Sequence, residues 1–157
     1  YMQNRTGTQF QFVPYRGGAP AMQDLVAGQV DFMCDFAGNS LPNMRNGQIK
    51  AYAVMAKSRW FAAPDVPTFE EMGLRDLQMS FWHGLWVPKG TDAAIVARLS
   101  LAVQTALADA TVKQRYVDMG QEMPPREQQT PQALAAFHKA EIEKWWPIIK
   151  AANLKTQ

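Results

Sequence analysis

Between Pro14 and Pro20 the chain reads Tyr15-Arg16-Gly17-Gly18-Ala19, a spacing that places backbone donors where an anion can dock. Phe10, Phe12 and Val13 read as a short strand, and Pro14 ends its hydrogen bonding. Gly17 and Gly18 allow dihedrals and a close approach that side-chain-bearing residues do not. Pro20 suits the first helical position, and Ala21, Met22, Leu25 and Val26 supply a buried face before Gly28 stops the helix. The first N–H groups of such a helix lack internal partners and carry partial positive charge. That chemistry is capture of a carboxylate or phosphate, not the breaking of a bond. The same residues also make a plain strand-to-helix connection with no ligand. Nucleotide loops are disfavoured by spacing: the phosphate loop and the dinucleotide fingerprint both need separated glycines, whereas here the two are adjacent and Pro20 follows.

Asp35 closes a second strand-like run, Val30 to Asp35, and faces two readings. It receives an ammonium or hydroxyl of a ligand, or it caps the segment from Phe36 onward. Trp82 has a similar choice between a wall that stacks on an organic ligand and core filler. Catalytic constellations lack their parts. Ser40, Ser58, Ser80 and Ser100 have no Gly-x-Ser-x-Gly elbow, and His83 and His138 have no paired-ligand spacing for zinc. Neither a metal nor a cofactor is expected. Cys34 is the single cysteine, so no internal disulfide forms, and its mid-strand position reads as a small buried hydrophobe rather than a reactive thiolate.

A chain of 157 residues with 47% hydrophobic and 19% charged content is long and apolar enough to bury a core. Its net charge of +2 is small, and Arg45, Lys50, Lys57 and Arg59 form no basic tract, so nucleic acid is not expected as a partner. The apolar run Phe81 to Val87 is interrupted by His83 and Gly84 and falls far short of the roughly 18 residues of a membrane span.

The elements that would position these residues alternate. Strands are expected over 10–13, 30–35 and 49–55, with a helix after the first and a short helix or turn over 38–47 after the second, which implies parallel pairing in an α/β layer. Thr68 and Glu71 have the spacing of a capping box for a short helix ending at Gly73. A long aromatic strand follows over 78–87. The chain then becomes helical: a Thr91/Asp92 cap precedes Val96, Leu99, Val103 and Leu107, Asp109 starts a second helix that runs to Gly120, and Thr130-Pro131 opens a third. On that last helix Leu134, Phe137, His138, Ile142, Trp145, Ile148 and Ile149 share an apolar stripe that includes Glu141, for which His138 or an Arg is the expected partner. Pro147 is expected to kink or loosen its final turn. Tyr1 to Gly7 looks like the tail of a helix closed by Gly7, with chain missing upstream.

Taken in order, several segments form a specific pattern: Val13-Pro14-Tyr15-Arg16-Gly17-Gly18-Ala19-Pro20-Ala21, Gly28-Gln29-Val30-Asp31-x-Met33-x-Asp35, Pro64-Asp65-Val66-Pro67-Thr68-x-x-Glu71-x-Gly73, and Trp82-x-Gly84-Leu85-x-x-Pro88-x-Gly90-Thr91. Ala106-Leu107-Ala108-Asp109 and Ala140-Glu141-Ile142-x-Lys144-Trp145 extend it. The chain resembles the Bug, or TctC-like, family of periplasmic solute-binding proteins over nearly its whole length. That resemblance implies a two-lobed α/β periplasmic-binding-protein architecture of the type II kind, of which this chain supplies part of each lobe. Residues 1–80 would belong to the second lobe, 81–90 to an inter-lobe aromatic strand, and 91–157 to the helical C-terminal part of the first. It further implies a periplasmic receptor, not an enzyme, that captures a small carboxylate (a dicarboxylate, amino acid or aromatic acid) and delivers it to the membrane subunits of a tripartite tricarboxylate transporter.

Under the resemblance Tyr15, Gly17, Gly18 and Ala19 match the binding loop of the second lobe and Asp35 an acidic position at the next strand end. Arg16, Phe36 and Trp82 complete the candidate site. Cys34 and Phe36-Ala37-Gly38 depart from the family pattern and leave the ligand open. The resemblance also implies that a missing N-terminal half, or a second copy, completes the fold. Two readings of other classes are an α/β enzyme acting on small organic acids and the ligand-sensing module of a regulator.

Overall fold

The computed structural model describes residues 1–153. Six helices occur among them: α1 (Met2–Thr6), α2 (Gly18–Val26), α3 (Ala37–Arg45), α4 (Ala93–Ala108), α5 (Ala110–Asp118) and α6 (Pro131–Ala151), with a 3-10 turn at Arg126–Gln128. The final four positions of the expected 91–157 segment lie outside the described residues. The chain divides into two units. Unit 1 comprises Tyr1–Trp82 and Tyr116–Gln121, and unit 2 comprises His83–Arg115 and the segment from Glu122 onward. No single described helix is long and apolar enough to cross a membrane.

Helix boundaries follow local chemistry. Gly7, Gly28 and Gly47 close α1, α2 and α3 at φ values of 67°, 71° and 68°. After α2 the Gly28 N–H donates to Leu25 O at 3.1 Å and the Gln29 N–H to Asp24 O at 2.8 Å. After α3 the pattern repeats, with Gly47 to Met44 and Gln48 to Asn43, and in both places the left-handed glycine lets the chain return onto the open carbonyls. Asp92 caps α4 by accepting from the Ala94 N–H, Asp109 caps α5 by accepting from Thr111 and Val112, and Thr130 caps α6 by accepting from Ala133. The helix α2 begins at Gly18, so Pro20 is its third residue, not its first. Its missing N–H still falls among those with no intrahelical acceptor.

The expected strands are the main correction. Segments 10–13, 30–35, 49–55 and 78–87 form no ladder among the described residues; a single parallel bridge joins Val54 to Thr68. Around it the Val54 N–H donates to Pro67 O, the Phe69 N–H to Val54 O, and the Met79 N–H to Met55 O. The reason is that a strand is defined by its neighbour. Residues 10–13 are exposed on both faces, Phe12 to 83%, and meet residues 30–35 through the edge-to-face rings of Phe10 and Phe32 at 4.6 Å rather than through backbone pairing. Cys34, expected inside, is exposed for the same reason. The protein around its sulfur still pushes the thiol pKa upward by desolvation.

The capping box forms as expected: the Thr68 N–H donates to Glu71 Oε2 at 2.7 Å and the Glu71 N–H to Thr68 Oγ1 at 3.1 Å. It closes a turn rather than a helix, because the chain reverses at Gly73 with φ 86°. Arg59 clamps the carboxylate of Glu71 through Nε at 2.9 Å. These bonds hold the Glu71 pKa below the usual carboxylate value, the Thr68 backbone donor contributing most.

Every described residue that is buried lies in unit 1: Met22, Leu41, Trp60, Thr68, Leu77 and Gly120. In unit 2 the helices bury nothing completely. The half-covered seam of α6 runs through Leu134, His138, Glu141, Trp145 and Ile148, while Phe137, Ile142, Trp146 and Ile149 remain exposed. That seam is narrower than the stripe the periodicity predicts. Glu141 finds its partner one turn on, accepting from Trp145 Nε1 at 2.9 Å, and His138 instead packs its ring at 4.8 Å from Trp86. Pro147 lies inside α6, which continues past it to Ala151. On α4 the apolar residues Ile95, Leu99, Leu101 and Val103 are exposed, and Val96, Ser100, Gln104 and Leu107 form its covered side.

Candidate functional site

Helices α2 and α3 flank a cleft of about 650 Å3 in unit 1. At their N-terminal ends it is lined by Gly18, Ala19, Asp35 and Asn39, then by Met22, Gln23, Val26 and Asn43, and at their C-terminal ends by Ala27 and Gln48. The size suits a small organic ligand. Positions 18, 22 and 26, and 19, 23 and 27, recur every four residues, which puts them on one side of α2.

Gly17 is the N-cap of α2 with φ 105° and ψ 171°, a backbone region essentially confined to glycine. Gly18 is helical and differs in its surroundings. A methyl group there would lie 3.5 Å from Asp35 Oδ1 and 3.8 Å from Asn39 Nδ2, so the bare backbone of the first turn faces the carboxylate across a gap of about one methyl group. Neither α2 nor α3 has a side-chain cap at its N-terminus. Asp35 stands just before Phe36, the N-cap of α3, and caps no backbone donor of that helix. Its Oδ2 accepts from Ser40 Oγ at 3.0 Å, and its Oδ1 from Asn39 Nδ2 at 3.5 Å. A carboxylate has about four acceptor sites, so these two side-chain donors leave capacity unused. Asp35 is also the single ionisable group in the lining, whose other polar side chains are amides.

The remaining candidates are distributed around this point. Tyr15 turns to the other side of α2, where its hydroxyl donates to Asp24 Oδ2 at 2.6 Å; that bond, with some desolvation, raises the phenol pKa above its ordinary value. Arg16 and Gly17 lie exposed in the entering loop. The Phe36 ring meets Phe81 at 3.6 Å between centroids. Trp82 is half-buried at the end of the first stretch of unit 1 and is not part of the cleft lining. The structure therefore brings together Gly18, Ala19 and Asp35, and separates Tyr15, Arg16, Gly17, Phe36 and Trp82 from that lining. The amides Gln23, Asn39, Asn43 and Gln48 were not anticipated. Their signal was the four-residue recurrence of Ala19, Gln23 and Ala27 and of Asn39 and Asn43, legible once both segments are taken as helices.

A model of the tripartite tricarboxylate transporter family receptor, TctC, matches residues 1–154. A UPF0065 protein of Agrobacterium vitis from the TAR-I ttuE-ttuC' intergenic region is 41% identical over 97% of this chain and 44% of its own length. BugT of Bordetella pertussis is 29% identical over 98% of this chain and 46% of its own. Among solved structures, the periplasmic binding protein BugD superposes with a TM-score of 0.88 at 36% identity, covering 99% of this chain and 52% of BugD. MatC of Rhodopseudomonas palustris, solved with bound malate, gives the same TM-score at 40% identity over 94% of this chain and 50% of MatC. The chain thus spans about half the length of each of these four proteins and shares the fold of the matched half of the two solved periplasmic binding proteins. It belongs to the TctC, or Bug, family of tripartite tricarboxylate transporter receptors.

Proposed function

We propose that the protein is a periplasmic receptor, not a catalyst, that captures a small carboxylated solute and hands it to the membrane subunits of a tripartite transporter. The observation that carries the ligand reading is the apposition of the open first turn of α2 at Gly18 and the Asp35 carboxylate. A solute carboxylate accepts from the N–H groups of the turn, where the helix dipole favours negative charge. A hydroxyl or ammonium group on the neighbouring carbon then donates to Asp35. A solute that brings only acceptors to Asp35 meets an anion instead, so 2-hydroxy and 2-amino acids are favoured over their unsubstituted counterparts. The neighbour MatC, whose structure holds malate, supports this class. In this reading residues 1–80 contribute to one lobe, 91–157 to the other, and 81–90 connect them.

Calorimetric titration of the full-length protein with malate, aspartate, succinate and benzoate tests the proposal. The expected order places malate and aspartate above succinate. Absence of binding by all four acids, or turnover of any of them, overturns it.

A further inference from the structure

We infer that Trp60 is a positioning residue for the solute site, acting from outside the cleft through the first turn of α3. The inference rests on the solute-site reading above. Trp60 is 7% exposed and absent from the cleft lining, and its Nε1–H donates to Gly120 O at 2.7 Å across 60 residues of sequence. Gly120 holds φ 67°, and a methyl group there would overlap the Trp60 ring and come within 3.2 Å of Leu41 Cδ2. One residue earlier the chain presses on α3: a methyl group on Gly38 would lie 2.5 Å from the Met119 carbonyl oxygen. The turn Met119-Gly120 is therefore seated between Trp60 and α3, with glycine at each point of closest approach.

The residues that follow Gly38 are Asn39 and Ser40, the two donors that hold Asp35. Successive residues of a helical turn share one rigid backbone, so displacement of the turn at Gly38 displaces both donors. Close-packed interiors transmit such shifts rather than absorb them. Trp60 fixes the carbonyl of Gly120, Gly120 fixes Met119 against Gly38, and α3 thereby presents Asp35 to the cleft at one orientation. Selection for a donor on the solute then depends on a tryptophan that never touches it.

The test is a double-mutant cycle in the full-length protein, reading the ratio of malate to succinate affinity by calorimetry beside thermal melting. Asp35→Asn lowers that ratio about tenfold or more, the range of a hydrogen bond to a charged group. Trp60→Phe removes the N–H and replaces the indole by a smaller aromatic ring; the expected ratio falls to less than half of the wild-type value, with no further fall when it is added to Asp35→Asn. If Trp60→Phe does not accumulate as folded protein, Leu41→Val, which trims the seat of Gly120 by one methylene, gives the same readout. A lowered melting temperature with an unchanged ratio overturns the inference, as does an equal loss in both backgrounds. If Asp35→Asn itself leaves the ratio unchanged, the solute-site reading fails and the inference falls with it.

Discussion

Gly17 and Gly18 are adjacent glycines held for different reasons, and replacing each with alanine separates ligand binding from backbone strain. At Gly17 there is open space, with nothing within 4 Å of a methyl group, but φ 105° and ψ 171° are disallowed to alanine. Gly17→Ala is expected to destabilise the protein by about 1–3 kcal/mol. For a chain of this size each kcal/mol lowers the melting temperature by about 2–4 °C. At Gly18 the backbone is helical and the new methyl group makes ordinary contact, 3.5 Å from Asp35 Oδ1. Gly18→Ala should leave stability unchanged or raise it by up to about 1 kcal/mol, because alanine loses less entropy in a helix. The methyl group nevertheless fills the gap between the open turn and Asp35. Loss of one hydrogen bond to a charged group is worth about 1.5–3 kcal/mol, so malate affinity should fall about 10- to 150-fold. Scanning calorimetry and titration with malate on both variants check this. Wild-type affinity in Gly18→Ala, or unaltered stability in Gly17→Ala, refutes the reasoning.

Other expectations rest on single interactions. Glu71 has a folded-state pKa below its unfolded value, so its contribution to stability is present above about pH 4.3, the ordinary glutamate value, and is lost as pH falls through the depressed folded value. Glu71→Gln should flatten the acid limb of a urea-stability profile against pH. Gly120→Ala faces both a left-handed backbone and the Trp60 ring, and should destabilise by about 2–5 kcal/mol in urea unfolding. The raised thiol pKa of Cys34 means less thiolate at neutral pH, so alkylation by iodoacetamide should be slower than for a cysteine peptide despite the exposed side chain, and should accelerate as pH rises.

Much of the local punctuation was legible because its partners lie within four residues. The Thr68–Glu71 box, the Asp92 and Thr130 caps and the glycine closures after α1 and α2 are local interactions set by the residues at that spacing. Gly18, Ala19 and Asp35 were singled out on the same footing, from the ends of the segments that carry them. Family membership was also legible, since the ordered motifs run through most of the chain.

That the extended segments form no ladder among the described residues was not legible, because their residues favour extended backbone. A ladder needs a second backbone at hydrogen-bonding distance, and that condition is not a property of residues 10–13 or 30–35 themselves. Burial failed in the same way: Cys34, Leu99 and Val103 have apolar chemistry, and whether they are covered depends on what packs over them. Glu141 had to find a partner, but its choice of Trp145 over His138 was made by side-chain geometry and by the ring of Trp86. The bond from Trp60 to Gly120 had no local signal at all. The sequence by itself determined where helices start and stop and which family the chain belongs to, because those rest on near neighbours and ordered motifs. Only the tertiary structure decided which polar groups meet across the α2–α3 cleft and how Asp35 is held there, because contacts between residues distant in sequence exist only once the chain has folded.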